Sequence, residues 1–283
     1  MEKQGKRKGK ERVKMKFEKK ERYTIEDLLE IMKILRAPGG CPWDREQDHH
    51  SIRSSLIEET YEAVEAIDTE NTELLKEELG DVLLQVVFHS RMEEEAGNFN
   101  FDDVADGICK KMIVRHPHVF GDVTVKDSND VLKNWDEIKK KTKSQKTQTE
   151  VLQSVSPALP ALMRSAKVQH KAAKVGFDWP DISGALEKVG EELAEVREAS
   201  QSGTPEQCQE ELGDLLFAVV NVSRFLHVEP EEALSLACNK FISRFAGVEK
   251  LAQERGIDMK NSSLEELDQL WDEVKRKGKQ NET

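Results

Sequence analysis

The sequence is poor in the residues that punctuate or staple other fold classes. Among 283 residues there are 16 glycines, 8 prolines and 4 cysteines, and aromatics make up only 6%. Sparse Gly and Pro beside abundant Leu, Glu, Lys and Ala favour helices over sheets. The cysteines, Cys41, Cys109, Cys208 and Cys238, are scattered and form no C-x-x-C pair. That argues against a zinc site or a disulfide framework and suits a reducing cytoplasm. No apolar run approaches the ~20 residues of a membrane span. No apolar stretch follows the basic N-terminus, so no signal peptide is expected. There is no G-x-x-x-x-G-K-S/T loop, which sets aside a P-loop NTPase. No Ser-His-Asp or Cys-His set suggests itself either.

What is present is charge. Charged residues make up 35% and hydrophobic residues 37%, with a net charge of −12. The chain is well solvated but still able to build a core. Residues 1–20 hold ten basic and three acidic side chains, net +7, which leaves −19 for the remainder. This basic tail reads as a solvated extension. It has no aromatic besides Phe17, and the acidic body repels polyanions, so nucleic acid is not an expected partner.

Helix signals are frequent. Thr24-x-x-Asp27 opens a helix that stops before Pro38-Gly39-Gly40, and Ser51 opens one that ends near Asp68. A third, from about 71 to 95, closes near Gly97-Asn98. A fourth starts at Asp102 or Asp103 and ends near His116-Pro117, and a short fifth starts at Asn129 or Asp130 and runs to Lys139. In the second half, Thr204-Pro205-Glu206-Gln207 and Ser263-x-x-Glu266 are capping boxes. The polar run "KKKTKSQKTQTE" between the halves has no periodicity and reads as a linker.

The two halves repeat each other. Glu59 and Glu62 of "EETYE" and Glu78 and Asp81 of "EELGD" match Glu192 and Glu195 of "EELAE" and Glu211 and Asp214 of the second "EELGD". The first and third acids stand nineteen residues apart in both copies. Lys111-x-x-x-Arg115 is matched by Lys240-x-x-x-Arg244, and Trp135-x-x-x-Lys139 by Trp271-x-x-x-Lys275. Even "CPWD" has a counterpart in "FDWPD". Four matches in one order point to an all-α tandem repeat. The expected layout is a basic tail over 1–20, a domain over 21–140, a linker over 141–152 and a second domain over 153–283.

The acids carry the chemistry. Residues three apart share a helix face, so Glu192 pairs with Glu195 and Glu211 with Asp214. Each stands one residue before an apolar stripe of Leu186, Val189, Leu193 and Val196 on one helix, and Leu212, Leu215, Val219 and Val222 on the next. That predicts acids at the edge of the buried face. The short "ASQSGTP" forces a tight antiparallel hairpin, which turns both pairs to one seam. Four carboxylates there repel one another unless a cation joins them. All-oxygen ligation suits Mg²⁺ or Mn²⁺ rather than zinc. A ferritin-like di-iron centre needs E-x-x-H pairs, and no His falls at these positions. Glu58, Glu77, Glu191 and Glu210 precede the quartet acids and read equally as outer-shell ligands, a water-activating base or solvated charge. Mg²⁺ held by carboxylates usually meets a phosphate. Lys240 and Arg244 suit phosphate oxygens. Trp271 can stack on a base, or anchor its helix in the core, while Lys275 reaches a phosphate. His116 and His118 flank Pro117 and read as loop structure. One hairpin leaves an apolar edge open, so a four-helix-bundle core completed by a homodimer is expected.

The motifs "GGCPWDREQ", "EETYEAVEAI", "EELGDVLLQVVFHS", "RHPHVFGDV", "NWDEIK", "VGFDWPD", "EELAEV", "EELGDLLFAVVN" and "FISRF" resemble the MazG family of nucleoside triphosphate pyrophosphohydrolases. The resemblance spans about residues 24 to 277. It implies Mg²⁺-dependent hydrolysis of canonical and non-canonical NTPs and dNTPs to nucleoside monophosphate and pyrophosphate. It implies Glu192, Glu195, Glu211 and Asp214 as catalytic metal ligands, with Lys240, Arg244, Trp271 and Lys275 contacting substrate. The first-half equivalents are Glu59, Glu62, Glu78 and Asp81, with Lys111, Arg115, Trp135 and Lys139. The alternatives are a dUTPase-like or phosphoribosyl-ATP pyrophosphohydrolase, or a metal-free helical interaction module.

Overall fold

The computed structural model describes residues 17–128, 130, 131, 134, 135, 138 and 147–281. Most of the basic tail, most of the expected fifth helix with Lys139, and the linker up to residue 146 lie outside these residues. The chain divides into two compact units, residues 1–139 and 140–283. Among the described residues the secondary structure is helical throughout.

The first unit holds α1 (Ile25–Arg36), α2 (Pro42–Glu46), α3 (Arg53–Asp68), α4 (Thr72–Ala96), α5 (Phe101–Arg115) and α6 (Pro117–Phe120). Local chemistry sets its boundaries. The Thr24 N–H donates to Asp27 Oδ2 at 2.9 Å, which occupies an otherwise orphaned donor at the start of α1. Helix α3 begins later than expected: Ser51 Oγ donates to Gln47 Oε1 and accepts from the Asp48 N–H, so Ile52 takes the cap position. Asn71 caps α4 by accepting from the Leu74 N–H, and Gly97 closes it at φ 76, a conformation that favours glycine. Helices α3 and α4 form a hairpin, and α1 and α5 pack on α4. The core is Met32, Ile52, Val87, Phe88 and Met92, and each such side chain contributes about 1.5–3 kcal/mol on full burial.

The second unit holds α7 (Gln148–Gln153), α8 (Ala161–Ala173), α9 (Ile182–Ser202), α10 (Pro205–Phe225), α11 (Pro230–Arg255) and α12 (Leu264–Asn281). Helix α7 overlaps the end of the stretch read as linker. Thr147 caps it, Val151 is buried, and Gln148 Nε2 donates to the Lys171 carbonyl of α8. Helices α9 and α10 form the second hairpin, turned at Gly203 and Thr204, with the Gln207 N–H donating to Thr204 Oγ1. Helix α8 packs on α10 and α11. Helices α11 and α12 share a core of Val248, Leu251, Ala252 and Leu270.

The hairpins differ from the expected stripe in one respect. Ala185 and Ala218 are buried, whereas Leu186, Leu193, Leu212 and Val219 stay exposed. The larger side chains form a face left exposed within the unit. Glu192 is only 4% exposed, while its neighbour Leu193 is 39% exposed.

Candidate metal centre

In the first unit, Glu59 on α3 meets Glu78 and Asp81 on α4, with carboxylate oxygens of all three within 4.8 Å of one another. Burial raises the Glu59 pKa, and the charges of Asp81 and Glu62 raise it further. Glu78 is buried, and its pKa is raised by that burial and then by Glu62 and Asp81. Glu62 thus acts on the cluster as a nearby negative charge.

In the second unit, Glu192 on α9 meets Glu211 and Asp214 on α10 within the same 4.8 Å limit. Glu195 joins through Glu192, in a second group that includes Glu191. The Glu195 pKa is raised, first by its hydrogen bond with Glu192 and then by burial. Glu192 shifts the other way. Lys188 Nζ lies 2.5 Å from Glu192 Oε1 and 2.9 Å from Glu191 Oε1, and this hydrogen bond holds Glu192 below the usual carboxylate range. The same two acids raise Lys188 above the usual lysine range. Crowded oxygens on two facing helices, with no nitrogen or sulfur among them, fit a hard divalent cation.

This arrangement agrees with sequence comparison. A description of the MazG nucleotide pyrophosphohydrolase domain matches residues 47–120 and again 183–248, once on each hairpin. The chain is 45% identical over 251 residues to a nucleoside triphosphate pyrophosphohydrolase/pyrophosphatase MazG of Thermotoga maritima, covering 89% of this chain and 95% of that protein. The chain belongs to the MazG family. It is also 44% identical to a nucleoside triphosphate pyrophosphohydrolase of Escherichia coli K12, over 89% of this chain and 97% of the relative. A third relative, the uncharacterized protein YabN of Bacillus subtilis, is 48% identical over 92% of this chain but only 53% of its own length.

The MazG-family motifs outside the quartets are placed as follows. Lys240 is exposed on α11, and Arg244 is half-buried with its guanidinium 6.0 Å from the Trp271 ring centroid. Trp271 is half-buried against the core that α11 shares with α12, its ring 5.1 Å from Phe241, and Lys275 is exposed one turn on. These residues lie on the α11–α12 pair and not in the carboxylate clusters. In the first unit, Lys111 is exposed and Arg115 half-buried. Trp135 stands edge-on to His116 at 5.1 Å, and the Trp135 indole nitrogen and His118 Nδ1 are buried without a hydrogen-bond partner. Glu58, Glu77 and Glu210 are exposed and outside the clusters, whereas Glu191 is in one.

Lys188 is a site residue that motif reading passed over. Its i, i+4 spacing to Glu192 was a usable signal, since the first half has Ser55 at that register. Beside the second cluster lies a mostly apolar cavity of about 680 Å³. Glu192 and Asp214 border it, together with Gln169, Phe177, Trp179 and Asn221. Arg224 ties its rim by a bidentate pair with Asp178 of the "VGFDWPD" loop. Trp179 owes its place to Gly184, where a Cβ would come within 2.7 Å of the indole.

Proposed function

We infer that this MazG-family chain hydrolyses nucleoside triphosphates to nucleoside monophosphate and pyrophosphate. The observation that carries the reading is the convergence of Glu192, Glu211 and Asp214 within 4.8 Å, repeated by Glu59, Glu78 and Asp81. Glu192, Glu195, Glu211 and Asp214 would hold Mg²⁺, with Mn²⁺ as a substitute, and the first-unit acids Glu59, Glu62, Glu78 and Asp81 would form a second such centre. The raised carboxyl pKa values of Glu59, Glu78 and Glu195 support this, because a bound cation removes the repulsion that raises them. Bound there, the metal supplies charge neutralisation for the polyphosphate and an activated water.

The chain's own groups then have distinct tasks. Lys188 balances Glu192 and keeps it ionised. Lys240, Arg244 and Lys275 are cations suited to the phosphate chain, and Trp271 braces Arg244 from its ring face, the base-stacking role being its alternative. Lys111, Arg115, Trp135 and Lys139 are the first-unit counterparts. The exposed face of Leu186, Leu193, Leu212 and Val219 suits a second copy of the chain, giving a homodimer with a four-helix core around each quartet. No helix among the described residues is long and apolar enough to cross a membrane, and a cytoplasmic nucleotide-pool role accords with the four free cysteines.

The test is pyrophosphate release from a panel of NTPs and dNTPs, including dUTP and phosphoribosyl-ATP, read through a coupled pyrophosphatase with and without Mg²⁺. Phosphate that appears only with both the coupling enzyme and the metal supports the reading. Phosphate released without the coupling enzyme, or no turnover at all, overturns it.

A further inference from the structure

Away from the carboxylate clusters, the first unit holds two histidines bonded to each other. His49 stands in the segment between α2 and α3, and His89 on α4. Their Nδ1 atoms are 2.7 Å apart. The ring planes differ by 3° and the centroids are 5.0 Å apart, close to the most that this nitrogen separation allows, so the rings lie end to end in one plane. A hydrogen bond of this geometry needs one proton between the nitrogens, and only one. The far side of His49 is fixed by an acid. Its Nε2 is 2.6 Å from Glu93 Oε1, and Asn98 Nδ2 donates to Glu93 Oε2 at 2.6 Å. The Asn98 bond, and then the His49 bond, hold the Glu93 pKa below the usual range, so Glu93 is ionised and His49 Nε2 carries a hydrogen. The far side of His89 is different: its Nε2 is buried without a hydrogen-bond partner. Burial, and then the charge of His49, lowers the His89 pKa. With both rings neutral, His89 donates to His49. With one added proton, His49 is a cation that donates to both Glu93 and His89. A second added proton has no place, because two Nδ1–H groups on two like charges would then face each other. The other charged and titratable groups on the surrounding elements have partners or solvent of their own. Asp48 accepts from the His50 and Ser51 N–H groups and feels the charge of His49. Arg36 of α1 pairs with Glu95, and Arg91 of α4 with Glu94 and Glu95. His50, Arg53 of α3 and Asp102 of α5 are exposed.

We propose that His49 and His89 form a pH-sensitive latch that ties the segment leading into α3 to α4, closed while the rings share one proton and open in mild acid when each holds its own. Helix α3 begins at Arg53, just beyond His49, and carries Glu59 to Glu78 and Asp81 of α4. Opening the latch therefore loosens the start of the helix that completes the first carboxylate cluster. The latch itself needs no metal, but its effect on turnover rests on the pyrophosphohydrolase reading. The second unit has Val222 at the register of His89, so the latch belongs to the first unit alone. The sign of the pH dependence follows from the proton count. In the unfolded chain both imidazoles become charged below about pH 6.5, whereas the closed latch holds a single charge. Its stabilisation is complete above that range and is lost as pH falls through it. Glu93 and Asp48, whose pKa values are also lowered, act in the same sense but in the carboxylate range, about 4 and below, so the pH window sets them apart.

The experiment melts the full-length parent and His89→Val in chelator at several pH values. The melting temperature of the first unit in the parent, relative to the variant, should fall by roughly 3 °C or more between pH about 7 and 5, the equivalent of one hydrogen bond in a unit of this size. If His89→Val fails to fold, His89→Asn serves instead. Its amide can donate to His49 but takes no proton, and the same relative fall is expected. A parent–variant difference that stays constant with pH, or grows in acid, overturns the latch. Nitrogen-15 imidazole spectra of the parent give an independent readout. One proton should couple to the Nδ1 atoms of both rings at pH about 7 and be lost by about 5. Rings that share no proton near neutral pH overturn the latch whatever the melts show. For turnover, Asp214→Asn silences the second unit. The kcat/KM ratio of that chain to the same chain with His89→Val should exceed 1 at pH about 7 and approach 1 at about 5. A ratio that does not move with pH overturns the control of activity. A chain that hydrolyses nothing yet shows the shared proton and the pH-dependent melting difference loses the activity reading and keeps the latch.

Discussion

Asp214→Asn is the sharpest perturbation of the proposed metal centre, because it removes one charge and almost no volume. The Asp214 carboxylate lies within 4.8 Å of those of Glu192 and Glu211. Two unit charges at that separation repel by about 0.9 kcal/mol even at the dielectric of water, the appropriate limit for an exposed side chain. Lys188 already compensates Glu192, so the main repulsion relieved is the one with Glu211. The metal-free variant should therefore gain roughly 1 kcal/mol, or a few degrees in the melting temperature of the second unit. With metal the sign reverses. Mg²⁺ at about a hundredfold over its Kd stabilises a native-only site by about 2.7 kcal/mol. A cage short of one anionic ligand should lose more than half of that gain. The assay is a pair of thermal melts, with chelator and with Mg²⁺, on the parent, Asp214→Asn, Asp81→Asn and the double variant. Pyrophosphate release is measured on the same samples, and the double variant should be inactive. The reasoning is refuted if Asp214→Asn melts lower than the parent in chelator yet keeps the full Mg²⁺ shift and full turnover beside Asp81→Asn.

Three further outcomes are expected. Glu59 and Glu78 have folded pKa values above their unfolded ones, so their contribution is complete below the ordinary carboxylate range and is lost as pH rises through the folded values. Scanning calorimetry in chelator should find Glu78→Gln raising the melting temperature of the first unit over the parent by more at pH about 8 than at about 4, and Mg²⁺ should reverse the difference; a difference independent of pH would contradict the crowding, whereas the parent's own slope also carries the lowered Asp27, Asp48, Glu93 and Glu95, which act in the opposite sense. Trp271→Ala strips a half-buried ring from the α11–α12 core and should cost about 2 kcal/mol, a melting shift of several degrees, whereas an unchanged melt with KM raised for every NTP would return Trp271 to base stacking. Sedimentation equilibrium at micromolar concentration should report a dimer of the 32.2 kDa chain, with Leu193→Glu shifting it to monomer; a parent that sediments as monomer removes the homodimer.

Much of this protein follows from spacing along the chain. Capping residues such as Thr24, Asn71 and Thr204 act on backbone groups two or three residues away, so their effect is local and readable. The i, i+3 acids and the short turn at Gly203 bring Glu192, Glu211 and Asp214 together for the same reason: helix geometry and a tight hairpin leave little choice. The duplication added an internal control, one quartet predicting the other. Burial was a different matter. The leucines of the stripe were expected inside and the acids at the edge, yet Glu192 is buried and Leu212 is 50% exposed. Periodicity marks a face as apolar but does not say which neighbour covers it. The cavity beside the second cluster was equally out of reach. Gln169 meets Phe217 from 48 residues away and Arg224 meets Asp178 from 46, and neither spacing carries a signal. Most helices, and the meeting of Glu192 with Glu211 and Asp214 and of Glu59 with Glu78 and Asp81, were thus determined by the sequence, because they depend on contacts within a few turns. The order of burial, the Lys188 pairing partner among several acids and the cavity beside the second cluster were decided only when α8, α9 and α10 packed together.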